Sequence, residues 1–326
     1  MCGFLGEFTF NKSDLISENS FSELLALSKH RGPDATEIVR KDNFQLGFNR
    51  LAILDVSANG NQPKCSPSKR YHIVFNGEIY NFKELINQYQ LKNLMSNSDT
   101  EVIIHLLDIL GVKETIKVLN GMFAIAIVDT QKEVLYLTRD FAGIKPLFYG
   151  VSDQGIVAAS QFDQIFKHEW FNGSLQLRAD TVKEYFGFGY MQAPNTIYKN
   201  IFQIVPGTLI SYNIKGDFKS EIICQFNSKL DASKAKIPIK ELEKTLKQVV
   251  KRQMISDLPL ATFLSGGIDS PIISSYAQKN SPSIEAFTLE VNDEKLNESE
   301  IAKDYAKHLK MAQQIISADE KDILNI

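Results

Sequence analysis

The residue best suited to covalent chemistry stands second in the sequence. Met1-Cys2-Gly3 opens the chain, and cysteine is small enough for Met1 to be removed during synthesis, which would give Cys2 a free α-amine. A thiolate attacks a carboxamide well only when a base takes its proton. An N-terminal residue carries such a base, an α-amine with an ordinary pKa of about 7.7 to 8.0. Taken alone, Met-Cys-Gly more often marks a buried structural cysteine, so the rest of the chain decides. A second chemical signal is Ser265-Gly266-Gly267-Ile268-Asp269-Ser270, after the apolar run Pro259 to Leu264 and before the helical run through Ile272, Ile273, Tyr276 and Ala277. Two glycines let backbone N–H groups curl around an anion. The helix start adds its positive dipole end, and the Ser265 and Ser270 hydroxyls add donors, an arrangement suited to phosphate. No Lys-Ser or Lys-Thr follows, and GxGxxG spacing is absent, so this is neither a Walker A loop nor a dinucleotide site. The competing reading makes Asp269 or Ser270 a helix N-cap with Pro271 at the first helical position, which needs no ligand.

The elements that must position these groups fall into two parts. From Met1 to about Glu221 short β-rich runs are interrupted by a few helices, with strands expected at Gly121 to Asp129 and Glu133 to Arg139, joined as a hairpin around Thr130 and Gln131. Ser20 and Glu23 form a capping-box signal ahead of Leu24, Leu25 and Leu27. A second amphipathic helix, Asp99 to Leu110, carries Ile103, Leu106, Leu107 and Leu110 on one face and stops at Gly111. Between Phe226 and Ile237 polar residues replace the apolar alternation, which marks a linker. Ile239, Leu242, Leu246, Val249, Val250 and Met254 then recur at helical spacing, so helix, strand, Gly-rich turn and helix make an α/β unit. A last helix is expected near Glu298 to Leu309, followed by the apolar Ile315 and Ile316. The expected organisation is a domain over 2–220, a linker over 221–237 and a second domain over 238–326, with no internal repeat.

Composition narrows the class of function. Hydrophobic residues at 44% and charged residues at 23% over 326 residues suit an ordinary globular protein of about two domains. Thirty-six basic against thirty-nine acidic residues, a net charge of -3, give no global footprint for nucleic acid or an anionic membrane. No apolar stretch approaches the roughly 18 to 20 residues of a membrane span and no secretory leader is present, which reads as cytoplasmic. Cys2, Cys65 and Cys224 form no CxxC pair, and His30, His72, His105, His168 and His308 do not cluster, so neither a disulfide framework nor a metal site is expected.

Further motifs follow in order: His30-Arg31-Gly32-Pro33-Asp34, Asn49-Arg50-Leu51-Ala52-Ile53-Leu54-Asp55, Asn76-Gly77-Glu78-Ile79-Tyr80-Asn81, Ser98-Asp99-Thr100-Glu101, and Arg139-Asp140-Phe141-Ala142-Gly143-Ile144-Lys145-Pro146-Leu147. This series resembles the N-terminal glutaminase domain of class II glutamine amidotransferases over essentially all of residues 2 to about 220, and its ordering resembles asparagine synthetase. The Ser265 to Ser270 loop resembles the pyrophosphate-binding loop of ATP pyrophosphatases. The resemblance implies an α+β N-terminal Ntn-hydrolase domain, a four-layer αββα sandwich, followed by an incomplete α/β parallel-sheet domain of the ATP-pyrophosphatase type.

The resemblance also implies roles that residue chemistry supports. Cys2 is the nucleophile. The Arg50 guanidinium binds the α-carboxylate of glutamine bidentately, Glu78 and Asp99 receive its α-ammonium, and the backbone from Leu51 through Ala52 to Ile53 completes the pocket. The Asn76 side-chain amide and the Gly77 N–H are the expected donors to the tetrahedral oxyanion. As isolated residues, Asn76-Gly77 is also a type I′ hairpin signal, and Arg50 and Asp99 are ordinary surface charges or caps. His30 is not expected to be the base; Arg31 to Asp34 would shape a loop over the pocket, with Pro33 fixing φ. In the second domain Ser265, Gly266, Gly267, Asp269 and Ser270 are expected to hold ATP, with Leu264 and Leu289 near the adenine or ribose and Mg²⁺ accompanying the phosphates.

Two departures bear on this. Pro271 stands where the family usually has a second serine, removing one N–H. The family's later acidic Gly-rich motif is not found, which reads as a truncated or split gene product with an exposed sheet edge after about residue 238. The implied reaction is glutamine hydrolysis, ammonia transfer, and attack on an acyl-adenylate made from aspartate and ATP, giving asparagine. Another carboxylate acceptor such as a sugar acid, glutaminase activity alone, a lone Ntn-type hydrolase and a non-catalytic subunit stay open. So do a homodimer and a separate chain supplying the rest of the synthetase.

Overall fold

A computed structural model describes residues 2–11, 13–225, 238–293 and 295–318. The chain divides into two units, Met1–Ser228 and Lys229–Ile326. Most of the expected linker, 226–237, lies outside the described residues.

The β-rich runs of the first unit become twelve strands: β1 (Gly3–Thr9), β2 (Ala35–Arg40), β3 (Phe44–Arg50), β4 (Lys64–Cys65), β5 (Tyr71–Ile79), β6 (Gly121–Asp129), β7 (Val134–Arg139), β8 (Phe148–Val151), β9 (Gly155–Ala159), β10 (Ile201–Gln203), β11 (Thr208–Asn213) and β12 (Phe218–Ile222). They form two six-stranded sheets, ordered β10-β8-β9-β1-β3-β2 and β12-β11-β7-β6-β5-β4, antiparallel throughout. Alternation along each strand sends one set of side chains between the sheets. Phe4, Phe8, Leu46 and Phe48 of one sheet meet Val74, Ala124, Ala126 and Leu137 of the other in a common core. The opposite faces are covered by helices. Phe21, Leu24 and Leu25 of α1 (Glu18–Ala26) pack with Leu5, Val157 and Ala159. Beyond α2 (Phe82–Gln88), α3 (Asp99–Val118) packs against β5. Two short helices, α4 (Asp163–Phe166) and α5 (Ala179–Phe188), complete the unit.

Several local expectations are corrected. The N-cap of α1 is Ser17, whose hydroxyl accepts from the Ser20 N–H; Ser20 lies in the first turn, because the earlier serine reaches the free N–H groups first. The helix from Asp99 does stop at Gly111, as expected; the rest of the span to Val118 is a second helical stretch beyond a kink, where Gly111 takes the non-helical φ 73° and ψ 172°. Asn76 and Gly77 make no turn; they lie within β5, paired with Ala124 and Phe123 of β6, because long-range pairing overrides the local turn preference. The β6–β7 hairpin forms, with Glu133 in the left-handed region. β12 extends to Ile222, two residues past the expected domain end.

In the second unit, α6 (Ile239–Gln253), α7 (Asp269–Asn280) and α8 (Ser299–Leu309) accompany a parallel sheet ordered β13-β14-β15, with β13 at Ala261–Phe263, β14 at Glu285–Val291 and β15 at Gln313–Ala318. Val250, Leu264, Tyr276, Ala286 and Ala302 form its core. Phe263, Ile268 and Leu289 are exposed.

Candidate active site

Cys2 enters β1 beside the end of β3, since Gly3 pairs with Asn49. The Leu51 N–H donates to its Sγ at 3.3 Å, and the thiol faces the Leu51 carbonyl at 3.6 Å. Burial pushes the Cys2 thiol up, while the Leu51 N–H and Arg50 draw it back. From the facing sheet, β5 presents Asn76, on the same side of the strand as the core residue Val74. The first turn of α3 brings Asp99. These groups line one cavity of about 210 Å³ with Arg50, Glu78 and Lys145.

Asn76 is 1% exposed, and its Nδ2 has no hydrogen-bond partner among the described residues. A buried donor left unbonded costs about 1 to 3 kcal/mol, and here it borders the cavity that contains the thiol. The register explains the state of Gly77. Phe123 directs its N–H and C=O to Asp140, so the opposing Gly77 turns its own N–H away from β6, toward the strand's open edge. Along that edge the Gln62 amide pairs with both backbone groups of Phe75, and Asp99 accepts from the Ile79 N–H at 2.8 Å. Gly77 lies between them. A Cβ there would stand 2.2 Å from the Met122 carbonyl oxygen and 2.6 Å from the Phe75 ring, so only glycine fits.

Asp99 is held by the Ile79 and Thr100 N–H groups, both at 2.8 Å. Its carboxyl is pushed up to about 6, with burial the main cause and those N–H groups opposing it. Arg50 departs from the sequence expectation of a free bidentate fork. Its terminal nitrogens already bond the Ser57 carbonyl and the Asn61 side chain at 2.7 Å, and the carbonyls of Leu54 and Asp55. The loop over 54–61 folds back on it and engages the donors that a carboxylate would use. Leu51 and Ile53 line the cavity. Ala52 does not; its N–H is bound by Asp34 at 2.8 Å, which ties the His30 to Asp34 segment to this wall.

Among the described residues no histidine lines this cavity: His30 is exposed, and His168 is buried against Glu7 at 2.7 Å. Two cations received no chemical role from sequence, Arg31 being expected only to help shape the loop over the pocket. Arg31 donates from Nε to the Cys2 carbonyl at 3.0 Å, and Lys145 is 5% exposed. Both lie in quoted motifs, but a role for either depends on tertiary proximity to Cys2. A larger recess of about 600 Å³ between the Lys113 and Lys219 regions contains no cysteine or histidine.

In the second unit the loop from Ser265 to Ser270 joins β13 to α7. Ser270 Oγ accepts from the Ser265 N–H at 2.9 Å and lies 2.9 Å from Ser265 Oγ, which accepts from the Gly267 N–H at 3.3 Å. Neither Asp269 nor Ser270 caps the helix; the N-cap position is Ile268, without a side-chain cap bond. The Gly266 N–H is already bonded to the Glu298 carboxylate at 3.0 Å, an anion at a position expected for phosphate. Leu264 is 2% exposed and packed in the core, which removes its side chain from contact with a nucleotide, whereas Leu289 is 59% exposed.

A glutamine amidotransferase domain model matches residues 1–221. The chain belongs to the glutamine amidotransferase family. In this amidotransferase an asparagine synthase model matches residues 241–326. Among its relatives, asparagine synthetase [glutamine-hydrolyzing] 1 of Bacillus subtilis is 31% identical over 98% of this chain and 51% of its own length. Asparagine synthetase B [glutamine-hydrolyzing] of Escherichia coli is 32% identical over 86% of this chain and 45% of its own. The chain therefore spans about half the length of the curated relatives it matches. Glutamine phosphoribosylpyrophosphate amidotransferase from B. subtilis, a solved structure, superposes with a TM-score of 0.50 at 17% identity over 96% of this chain and 65% of its own, a likeness of fold. Among the described residues no helix of the amidotransferase is long and apolar enough to cross a membrane.

Proposed function

We propose that the first unit hydrolyses glutamine at Cys2 and that the second takes part in using ATP to activate an acceptor carboxylate, aspartate, for amidation to asparagine. The observation that carries the first half is the unbonded Asn76 amide bordering the same cavity as the Cys2 thiol. After removal of Met1 the Cys2 α-amine takes the thiol proton, and the thiolate attacks the side-chain carbonyl of glutamine. The oxyanion is met by Asn76 Nδ2 and the Gly77 N–H, ammonia leaves with the proton from the amine, and water then releases glutamate from the thioester. Asp99 and Glu78 receive the α-ammonium. The α-carboxylate meets Arg50 through its remaining N–H, or after its bonds to the 54–61 loop rearrange.

In the second half, the Ser265 to Ser270 loop holds the phosphates of ATP, its hydroxyls and glycine N–H groups acting as donors, and Leu289 lies against the base. The described residues contain no cluster of three metal-binding side chains. Asp269 at this loop suits Mg²⁺, which binds mostly through nucleotide phosphates with one or two carboxylates and would supply charge neutralisation there. Ammonia attacks the aspartyl-adenylate, giving asparagine, AMP and, from the earlier activation, pyrophosphate. The similarity to named asparagine synthetases supports this acceptor. The test is to incubate the chain with glutamine, aspartate, ATP and Mg²⁺ and follow glutamate, AMP and asparagine together. Glutamate with AMP and asparagine supports the full reading; glutamate alone limits the chain to the glutaminase half.

A further inference from the structure

The segment Arg139 to Leu147 contributes to the cavity in a way the proposed reaction does not yet use. Asp140 accepts from the N–H groups of Phe123, Ala142, Ile144 and Lys145 at 2.9 to 3.1 Å. Arg139 donates to the carbonyls of Lys145 at 2.6 Å, Ile204 at 3.2 Å and Gly143. A buried acid and a buried base thus fix both backbone groups of Lys145, and the side chain they position is 5% exposed and lines the Cys2 cavity. Its ammonium makes no hydrogen bond or ion pair with another described residue. Of the other cations nearby, Arg50 is committed to the 54–61 loop, while Arg31 donates through Nε to the Cys2 carbonyl and keeps its Nη2 without a hydrogen-bond partner among the described residues.

We propose that Lys145 is a positioning residue whose ammonium serves as counter-ion to the Cys2 thiolate. The α-amine takes the thiol proton; Lys145 keeps its own and lowers the energy of the anion left behind. An ammonium held largely out of bulk solvent at the wall of a small cavity acts strongly on a neighbouring charge. The groups facing this pair are Arg31, Arg50, Glu78, Asp99 and Asp140. Burial lowers the proton affinity of Lys145, and Arg31 adds to this, while Cys2, Glu78 and Asp140 raise it; thiolate and ammonium therefore favour one another.

The inference rests on Cys2 being the nucleophile for its catalytic meaning, but its test needs no turnover. Cys2 alkylation by iodoacetamide is followed against pH, peptide by peptide, in wild type, Lys145→Met and Lys145→Arg, with Cys65 and Cys224 as internal references. Methionine replaces the unpaired ammonium with an apolar chain of similar length, a change the fold tolerates. Lys145→Met is expected to move the Cys2 midpoint up by about one pH unit and slow alkylation at neutral pH about tenfold. Lys145→Arg should restore most of the shift, with the Cys65 profile unchanged. A Lys145→Met profile superposing on wild type, or Lys145→Arg displaced as far as Lys145→Met, overturns the proposal. A Lys145-dependent profile in a chain that fails to hydrolyse glutamine supports it while refuting the proposed reaction.

Discussion

Replacing Asn76 with alanine separates a catalytic amide from a structural one. Its Nδ2 is buried without a partner, so the fold carries an unsatisfied donor whose removal returns about 1 to 3 kcal/mol. Against this stands the packing lost with the side chain, about 1 kcal/mol for a typical substitution. The two nearly cancel, and the variant should unfold in urea within about 1 kcal/mol of wild type. Catalysis should behave differently. Losing one of two oxyanion donors costs about 100- to 1000-fold in rate, or about 2.7 to 4 kcal/mol of transition-state binding. The assay is glutamate release at saturating glutamine beside urea denaturation of the same preparation. The expected result is a large fall in kcat, little change in KM and nearly unchanged stability. Turnover within about fivefold of wild type, where a lost donor should cost at least about 100-fold, would refute the reasoning, as would a rate loss that tracks a loss of stability.

Asp99 gives a pH dependence of defined sign. With its carboxyl pushed up to about 6, kcat/KM for glutamine should fall as pH drops through that value, because the neutral acid no longer attracts the α-ammonium; Asp99→Asn should lower kcat/KM and abolish this limb. The same raised carboxyl contributes stability that is fully present below its ordinary 3.8 and lost as pH rises through about 6, an effect of about 3 kcal/mol. Asp99→Asn should therefore gain on wild type by about that amount between pH 4 and 7 in urea denaturation. In the second unit the Glu298 carboxylate is bonded to the Gly266 N–H. Glu298→Gln keeps a hydrogen-bond acceptor but removes a charge that repels phosphate, and should tighten ATP binding measured by calorimetry about fivefold.

The sequence was most legible where local periodicity and tertiary demand agree. The β6–β7 hairpin follows from alternation and a short polar turn, and the helix from Asp99 to Gly111 from the spacing of Ile103, Leu106, Leu107 and Leu110. Met-Cys-Gly, Asn-Gly-Glu and Ser-Asp-Thr mark groups that the fold brings to one cavity, although no spacing among them indicates that β1, β5 and α3 converge. Other features were closed to sequence because they depend on distant partners. Asn76-Gly77 has the local preference of a turn, and only pairing with β6 makes it strand. Arg50 has free donors until the 54–61 loop folds over them, and Leu264 looks available until the core of its unit closes on it. Lys145 carried no local signal of burial, since the Arg139 and Asp140 contacts that hold its backbone arise only in the folded loop.

The central claim is that Cys2 is the nucleophile that releases ammonia from glutamine. The most direct measurement compares glutamate formation by wild type and Cys2→Ala at saturating glutamine, with thermal unfolding of both. The account predicts that wild type forms glutamate, that Cys2→Ala forms none above the uncatalysed background, and that the two unfold at similar temperatures. Continued turnover by a folded Cys2→Ala protein would contradict it.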